Sequence, residues 1–381
     1  MTMPNVLYNG PGNWPDADKL MANFNYLESV GSVYTSFRNK IINGDMAIDQ
    51  RNAGASVTNT TGNLYPVDRW RIYGSVASKF SAQQGYSITP PPGYANHLGI
   101  LSLSAYSVGN SESFTITQAI EGLRMVDFAF GTGSARALTL SFWVKTNMSG
   151  GTVFGGAVQN AATDRSFPFS FTVNNSSSWE YKTISITADT SGTWPTNNTA
   201  SMLLRFSLGM GNSLSGTAGA WVAGDYRSVT GAASVVGTNG ATFFITGVQL
   251  EAGTIATTYE FIPIHLQLPI CQRYFEKSIP VTTKPGSAYA GQLFIGTASG
   301  TSMGGWIGTF KYSIDKRITP TTNVYDNLGN SGKITTWTGG LTTDNVTPTN
   351  AAWGAGEKCH TIYNAGSVSG IQWNATADAE I

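Results

Sequence analysis

Residues 137–146 read ALTLSFWVKT, and their apolar side chains recur at every second position. The apolar side chains fall on one face of an extended chain: Leu138, Leu140, Phe142 and Val144. Polar side chains fall on the opposite face: Thr139, Ser141 and Lys145. A repeat of two is typical of a β-strand with one buried face, because successive side chains point to opposite sides of a sheet. The stretch therefore predicts a half-buried strand.

Further stretches between residues 36 and 262 carry the same alternation. They are SMLLRFSLGM at 201–210, TFFITGVQLEAG at 242–253, SFTITQAI at 113–120 and YKTISIT at 181–187. Segments rich in Gly, Pro, Asn and Ser separate them, such as ITPPPGY at 88–94 and TADTSGTWPTNNT at 187–199. Strands joined by turn-rich segments of this kind are typical of a β-sandwich with long loops at its ends.

A helical pattern precedes the strands, in WPDADKLMANFNYLESVG at 14–31. Asp16 after Pro15 can cap a helix that runs from about residue 17 to 30. Its apolar positions repeat at intervals of 3, 4 and 3, and they are Ala17, Leu20, Phe24 and Leu27. Such a narrow seam is used between associated helices. Two interpretations are open: the helix lies on its own domain, or the seam lies on the axis of an oligomer, for which we expect a homotrimer.

A boundary is indicated by YEFIPIHLQLPICQRYFEKS at 259–278, where helix-forming residues interrupt the strand pattern. The chain beyond it is again β-like, as in WIGTFKYSI at 306–314, and it ends with the extended tail GIQWNATADAEI. We therefore predict a mainly β protein in three parts. Residues 1–35 form an N-terminal part with the short helix, 36–264 a β-sandwich, and 265–381 a second, smaller β domain.

Charge and composition exclude several classes of function. Only 12% of residues are charged, and 22 basic residues balance 22 acidic ones without a basic cluster. We therefore expect no nucleic-acid partner. The N-terminus lacks a signal-peptide pattern, and no stretch reaches the roughly 18 apolar residues of a membrane helix, so we expect no membrane insertion. The two cysteines, Cys271 and Cys359, are too few for a secreted disulfide framework, and we expect them to be reduced.

Five segments, in order, resemble the recurring pattern of bacteriophage tail-fibre and receptor-binding proteins. They are NKIINGDMAIDQR (39–51), YPVDRW (65–70), GVQLEAGTIATTYEF (247–261), PICQRYFEKS (269–278) and WNATADAEI (373–381). The resemblance implies a jelly roll like that of carbohydrate-binding modules, followed by a C-terminal module that begins at the CQRY segment. It also implies an N-terminal anchor that docks onto other phage tail or capsid proteins. The expected location is the virion, after synthesis in the host cytoplasm.

The acidic residues of the first segment have two interpretations. Asn43, Gly44 and Asp45 suit a turn, because Gly permits it and Asn and Asp bond its backbone. A charge-assisted network that ties the first strands together would use Asp49, Arg51, Asp68 and Arg69. The alternative is the acid and base of a glycosidase, which needs two carboxyls across one cleft. No such motif is recognisable, so we expect no catalytic residues and no enzyme.

The resemblance also raises one metal candidate. Jelly rolls of the carbohydrate-binding type often hold a structural calcium ion between their first and last strands. Asp45 and Glu251 would be its ligands, because Ca²⁺ prefers carboxylate and carbonyl oxygens. We expect no other cofactor.

The aromatic residues supply the glycan-binding candidates. We predict structural roles for Trp70 and Trp143, and the role of Trp306 stays open. Three aromatic residues of the C-terminal domain lie among turn residues and are the predicted glycan-binding residues: Tyr325, Trp337 and Trp353. The sandwich loops around Pro90–Pro92 and Trp194 are the alternative.

These observations predict a structural virion protein of the tail fibre or tail tip that binds a host cell-surface polysaccharide. One alternative is a capsid or tail decoration or connector protein with no host ligand. The second alternative is a glycan-degrading enzyme.

Overall fold

The computed structural model describes residues 37–289, 291, 293–296 and 305–381. The predicted N-terminal helix, with its seam of Ala17, Leu20, Phe24 and Leu27, lies outside the described residues. Within them the protein is mainly β, with antiparallel pairing in nearly all of its sheets. The predicted fold class is confirmed for this part of the chain.

Fifteen strands lie before residue 253. They are β1 (Val57–Thr58), β2 (Leu64–Val67), β3 (Trp70–Gly74), β4 (Phe80–Gln84), β5 (Leu98–Ser102), β6 (Ser113–Glu121), β7 (Leu138–Thr146), β8 (Thr152–Asn160), β9 (Arg165–Val173), β10 (Glu180–Ile186), β11 (Ala200–Met210), β12 (Ser215–Gly216), β13 (Val222–Ala223), β14 (Ser228–Val229) and β15 (Thr242–Ala252). A six-stranded sheet has the order β1–β4–β5–β15–β7–β10. A seven-stranded sheet has the order β13–β9–β8–β11–β6–β3–β2.

One hydrophobic core fills the space between these two sheets. The alternation of ALTLSFWVKT explains its formation, since Leu138, Leu140, Phe142 and Val144 are each fully buried. Phe142 of the six-stranded sheet meets Phe206 of the seven-stranded sheet edge to face, with ring centroids 5.0 Å apart. Such contacts between the two inner faces hold a β-sandwich together.

The second half of the fold begins with a helix, α1 (Ile264–Gln272). Nine strands follow: β16 (Phe275–Lys277), β17 (Leu293–Gly296), β18 (Trp306–Lys311), β19 (Thr321–Tyr325), β20 (Ile334–Thr338), β21 (Leu341–Val346), β22 (Asn350–Ala355), β23 (Cys359–Asn364) and β24 (Gly370–Asp378). The predicted extended tail is the central strand β24. Its first half pairs with β17 and β20, and its second half pairs with β16 and β19. The strands β18, β23 and β22 form a separate three-stranded sheet.

The C-terminal strands enclose a second hydrophobic cluster, which includes Val324, Ile362 and Ile371. A third, smaller cluster joins the two halves through Ile42, Ile48, Cys271 and Tyr274. The predicted division at residues 264 and 265 stays a prediction. In the described part of the chain, no helix has the length and apolar character needed to cross a membrane.

Candidate functional site

Trp143 lies on the outer face of the six-stranded sheet. Its neighbours in β7, Phe142 and Val144, point into the core, so the alternation of the strand directs Trp143 away from it. Cross-strand pairing places Trp143 between Thr246 of β15 and Tyr181 of β10. The rings of Trp143 and Tyr181 lie 5.4 Å apart, and Tyr181 is 42% exposed.

A bulge in β15 brings a third ring to this face. The register of β15 against β7 shifts between Thr246 and Gln249, and Gly247 there has a φ of 61°. A Cβ on Gly247 would lie 2.6 Å from the hydroxyl oxygen of Tyr94. Glycine therefore serves two needs at this position: the left-handed backbone and the close approach of the Tyr94 ring.

The segment after β15 adds two more rings. The ring of Tyr94 lies 5.4 Å from that of Tyr259 and 5.2 Å from that of Phe261. Tyr259 and Phe261 contact each other at 4.8 Å, and Phe261 is 52% exposed. We call this surface the aromatic face, and it consists of Tyr94, Trp143, Tyr181, Tyr259 and Phe261.

Two hydroxyl groups of the aromatic face, those of Tyr94 and Tyr259, are kept neutral by burial. Burial raises the pKa of Tyr94 to about 12, with Tyr181 adding to the rise and the Trp143 indole opposing it. Burial also raises the pKa of Tyr259 well above its ordinary value. Both phenols therefore stay protonated around neutral pH and can donate as well as accept hydrogen bonds. Exposed polar side chains follow on the same face of β10, at Thr183 and Ser185.

A second group of rings lies at one end of the same sheet. Trp179 packs on His97 at 5.8 Å and on Phe244 at 6.4 Å. Its indole N–H donates to the carbonyl of Thr89 at 2.9 Å, which fixes the proline-rich loop to the sheet. The loop of Pro90–Pro92 thus leads directly to Tyr94 of the aromatic face. This is one of the two sandwich loops that were named from the sequence as the alternative to the C-terminal domain, and the other contains Trp194.

The predicted C-terminal candidates lie on two different sheets. Tyr325 is half-buried in β19, where it pairs with Asn374. Trp337 is half-buried in β20 and pairs with Gly370. Trp353 belongs to β22 of the three-stranded sheet, and its side chain lies outside the described part of the chain. Their role in binding stays a prediction.

Three further tryptophans of the described residues are buried, and they are Trp70, Trp194 and Trp306. Trp70 is fully buried, and its indole N–H donates to the carbonyl of Asn43 at 2.9 Å. Trp194 is 8% exposed and packs on Phe130, and Trp306 is 7% exposed. The predicted structural role of Trp70 agrees with this burial, whereas Trp143 lies on the outer face of its sheet.

The candidate calcium ligands already have protein partners. Asp45 accepts a hydrogen bond from Gln267 at 2.8 Å. Glu251 lies 3.3 Å from Arg38 and accepts hydrogen bonds from Thr257 and Gln249. Across the described residues, no group of three or more His, Cys, Asp or Glu side chains is arranged to hold a metal ion. The calcium site stays a prediction without support from these contacts.

The segment at 39–51 forms a turn and part of a buried charge network. The side chain of Asn43 donates to the carbonyls of Ile48 and Asp68, as predicted for a turn residue. Arg51 lies 3.8 Å from Asp68, and Arg69 pairs with Glu380. The network was predicted to tie the first strands together. It also reaches the C-terminal end of the chain, through Glu380 and Asp378.

Comparisons with solved structures give matches at low sequence identity and low TM-score. No protein-family model and no curated protein matches the sequence. The enzymatically active domain of bacteriophage CBA120 tailspike protein 4 is 11% identical, over 57% of this chain and 22% of that chain, with a TM-score of 0.32. This chain thus spans about a fifth of that domain.

Two carbohydrate-binding modules are similar over their whole length. The family 11 module of a Clostridium thermocellum cellulase is 14% identical, over 54% of this chain and 99% of the module, with a TM-score of 0.26. A xylan-binding domain from Paenibacillus barcinonensis is 9% identical, with the same two coverages and the same TM-score. TM-scores this low support no inference about ligand or partner.

Proposed function

We propose that this chain is a non-enzymatic polysaccharide-binding protein and that the aromatic face of its β-sandwich binds the sugar chain. The observation that carries the proposal is the position of Trp143. It is a large ring on the outer face of a core sheet, flanked by the exposed ring of Tyr181. An outer sheet face that carries several large rings together is characteristic of a binding surface.

The chemistry of this surface suits a sugar. Sugar rings have apolar faces that pack on aromatic rings, and their hydroxyl groups exchange hydrogen bonds with neutral donors and acceptors. Tyr94, Thr183 and Ser185 supply such groups beside Trp143. The low charge of the chain, 12% of residues, leaves the surface uncharged and polar, as a neutral ligand requires.

A hydrolytic role has less support. Asp49 and Asp68 are 3% and 1% exposed, so a sugar chain cannot reach the two carboxyls without rearrangement of the protein. A glycosidase needs both carboxyls at an open cleft, where they flank the glycosidic bond.

The sequence resemblance extends the proposal to a biological setting. On that basis the chain is a homotrimeric phage virion component of the tail fibre or tail tip, and its ligand is a host surface polysaccharide. A decoration or connector protein without a host ligand is the alternative. The sugar-binding experiment separates the two, because a connector would bind no polysaccharide.

Affinity gel electrophoresis of the full chain tests the proposal. Polysaccharides extracted from candidate host cells are cast into the gel and tested first. A polysaccharide that the protein binds should retard the wild-type protein. The variant Tyr181→Ala should migrate with less retardation, because it removes an exposed ring of the aromatic face. Leu341→Ala is the matched control, since Leu341 is 75% exposed in the C-terminal half. Equal retardation of Tyr181→Ala and wild type would place the binding surface elsewhere.

A further inference from the structure

Two arginines lie on the outer face of the seven-stranded sheet, opposite to the aromatic face. Arg71 of β3 pairs with Thr117 of β6, and Thr117 pairs in turn with Arg205 of β11. Both neighbours of Arg71, Trp70 and Ile72, are buried in the core, so Arg71 points outward. The register therefore places two guanidinium side chains on the same face, on either side of one threonine.

A third arginine reaches this group from the segment that crosses the sheet between β13 and β14. Arg227 binds Asp225 with two parallel contacts, at 3.0 Å from Nε and 2.7 Å from Nη2. Gln159 joins the groups, because it accepts from Nε of Arg205 at 2.6 Å and donates to Asp225 at 2.9 Å. The cluster thus has three guanidinium groups and one carboxylate, and this carboxylate already pairs with Arg227.

The other two arginines make no ion pair with any described residue, and Asp225, which attracts Arg205, is already bonded to Arg227. Among the described residues Arg71 makes no hydrogen bond through its side chain, and its Nε is buried without a partner. Arg205 is 7% exposed and bonds only to the neutral groups of Gln159 and Thr117. Burial lowers the pKa of Arg205 to about 9, and the charges of Arg71 and Arg227 add to this effect while that of Asp225 opposes it.

Buried hydroxyl groups beside the arginines also lack partners. Ser207 follows Arg205 by two positions on the same face of β11, and its Oγ is buried without a hydrogen bond, as is that of Ser228. Unsatisfied buried donors and repelling like charges are costly, and native proteins seldom retain them without a compensating partner. An anion with several acceptor oxygens would supply both acceptors for these donors and a counter-charge for the guanidinium groups.

We propose that the cluster of Arg71, Arg205 and Arg227 binds a carboxylate group of an acidic sugar unit. Arg71, a half-buried member of the cluster, offers an accessible guanidinium, and its planar fork matches the two oxygens of a carboxylate. Tyr73 lies two positions from Arg71 on the same face and is half-buried, so a ring is available beside the charge for the sugar to pack on. The identity of the anion as part of a sugar rests on the proposed function. The inference that an anion binds here rests on the arginine cluster alone.

Thermal unfolding of the full chain tests this site with oligogalacturonate as the anionic probe. A ligand that binds only the folded protein raises Tm, and the rise grows with the logarithm of the ratio of ligand concentration to Kd. Oligogalacturonate should raise the Tm of wild type, and Arg71→Gln should lose that rise, with affinity weakened about tenfold or more. Without ligand, Arg71→Gln should be at least as stable as wild type, because it removes a charge that repels its neighbours. Arg136→Gln is the matched control, since Arg136 is an exposed arginine outside the cluster, and it should respond like wild type.

Several results would overturn the proposal. One is an unchanged Tm of wild type in oligogalacturonate, and another is an equal rise in the Tm of Arg71→Gln. A third is an equal rise in Tm with inorganic sulfate or free galacturonate, which would indicate a site for small anions only. A neutral oligosaccharide separates this site from the aromatic face. Binding of the neutral oligosaccharide to the aromatic face should be unaffected by Arg71→Gln. Failure of the arginine site can therefore be distinguished from failure of the proposed function.

Discussion

The guanidinium of Arg51 donates a hydrogen bond from Nη2 to Oδ2 of Asp378 at 3.0 Å, across 327 residues of sequence. The same guanidinium lies 3.8 Å from the ring centroid of Phe275 and pairs with Glu380 at 3.3 Å. Arg51 thus holds the first segment of the sandwich, the start of the C-terminal strands and the end of the chain together. The motif that begins at residue 39 is the junction between the two halves of the protein.

Removal of this contact should destabilise the protein strongly. Arg51→Ala leaves Asp68, which is 1% exposed, without its cation, and loss of one partner of a buried ion pair costs about 3 kcal/mol. Urea unfolding measures this change. The control is Lys358→Ala, because Lys358 and Asp315 are 79% and 63% exposed and 3.8 Å apart, so its unfolding midpoint should not change. An Arg51→Ala midpoint equal to that of wild type would contradict the role of the junction.

Asp68 should make stability depend on pH in an unusual direction. Burial raises its pKa from 3.8 to about 6, against the opposing effects of Arg51 and Gln50. The folded protein therefore binds the proton more tightly than the unfolded chain does. This contribution to stability is fully present below about pH 4 and is lost as the pH rises through about 6.

The variant Asp68→Asn isolates this effect, because asparagine does not titrate. Between about pH 7.5 and pH 4, the stability of wild type relative to Asp68→Asn should increase, by at most about 3 kcal/mol. Urea unfolding of both proteins at the two pH values measures the difference. A difference that stays constant would show that Asp68 titrates normally.

Gly44 should tolerate no side chain. A Cβ at this position would lie 2.1 Å from the carbonyl oxygen of Val248, so the turn and β15 would have to separate. We expect Gly44→Ala to lower the free energy of unfolding by roughly 2–4 kcal/mol, as buried steric clashes do. Gly133→Ala is the control, since a Cβ there meets nothing within 4 Å. Equal melting temperatures for the two variants would contradict the close packing of this turn.

The two thiols should react at different rates. Both cysteines are free, with Cys271 1% exposed and Cys359 half-buried. Burial raises the pKa of the Cys271 thiol well above its ordinary value, so little reactive thiolate forms. A thiol reagent should label Cys359 first in the folded protein and both cysteines after denaturation. Preferential labelling of Cys271 in the folded state would be inconsistent with its burial.

The local pattern predicted the strands well because burial repeats along them. ALTLSFWVKT coincides with β7 and its inner face, and the Asn43 turn forms as its residue types require. The pattern also contained the signal for the aromatic face. Trp143 occupies a position on the polar side of the same alternation, where a large ring has no place in the core. That position was the signal for an outward-facing ring, although the sequence alone had led us to predict a structural role for Trp143.

The remaining features depend on contacts that local sequence does not record. The bond between Arg51 and Asp378 joins residues that no repeat connects. Tyr94 and Phe261 become neighbours only because β15 bulges at Gly247 and the following segment folds back over the sheet. The unpaired arginines on the other sheet likewise come together through strand register, between β3 and β11.

The most direct test of the central claim is calorimetric titration of a polysaccharide that retards the wild-type protein. Trp143→Ala and Trp337→Ala are compared with wild type, because they remove one ring from each of the two competing surfaces. Trp143→Ala should weaken binding about tenfold or more, and Trp337→Ala should bind like wild type. Wild-type affinity in Trp143→Ala, together with lost binding in Trp337→Ala, would contradict the account and assign the sugar to the C-terminal strands.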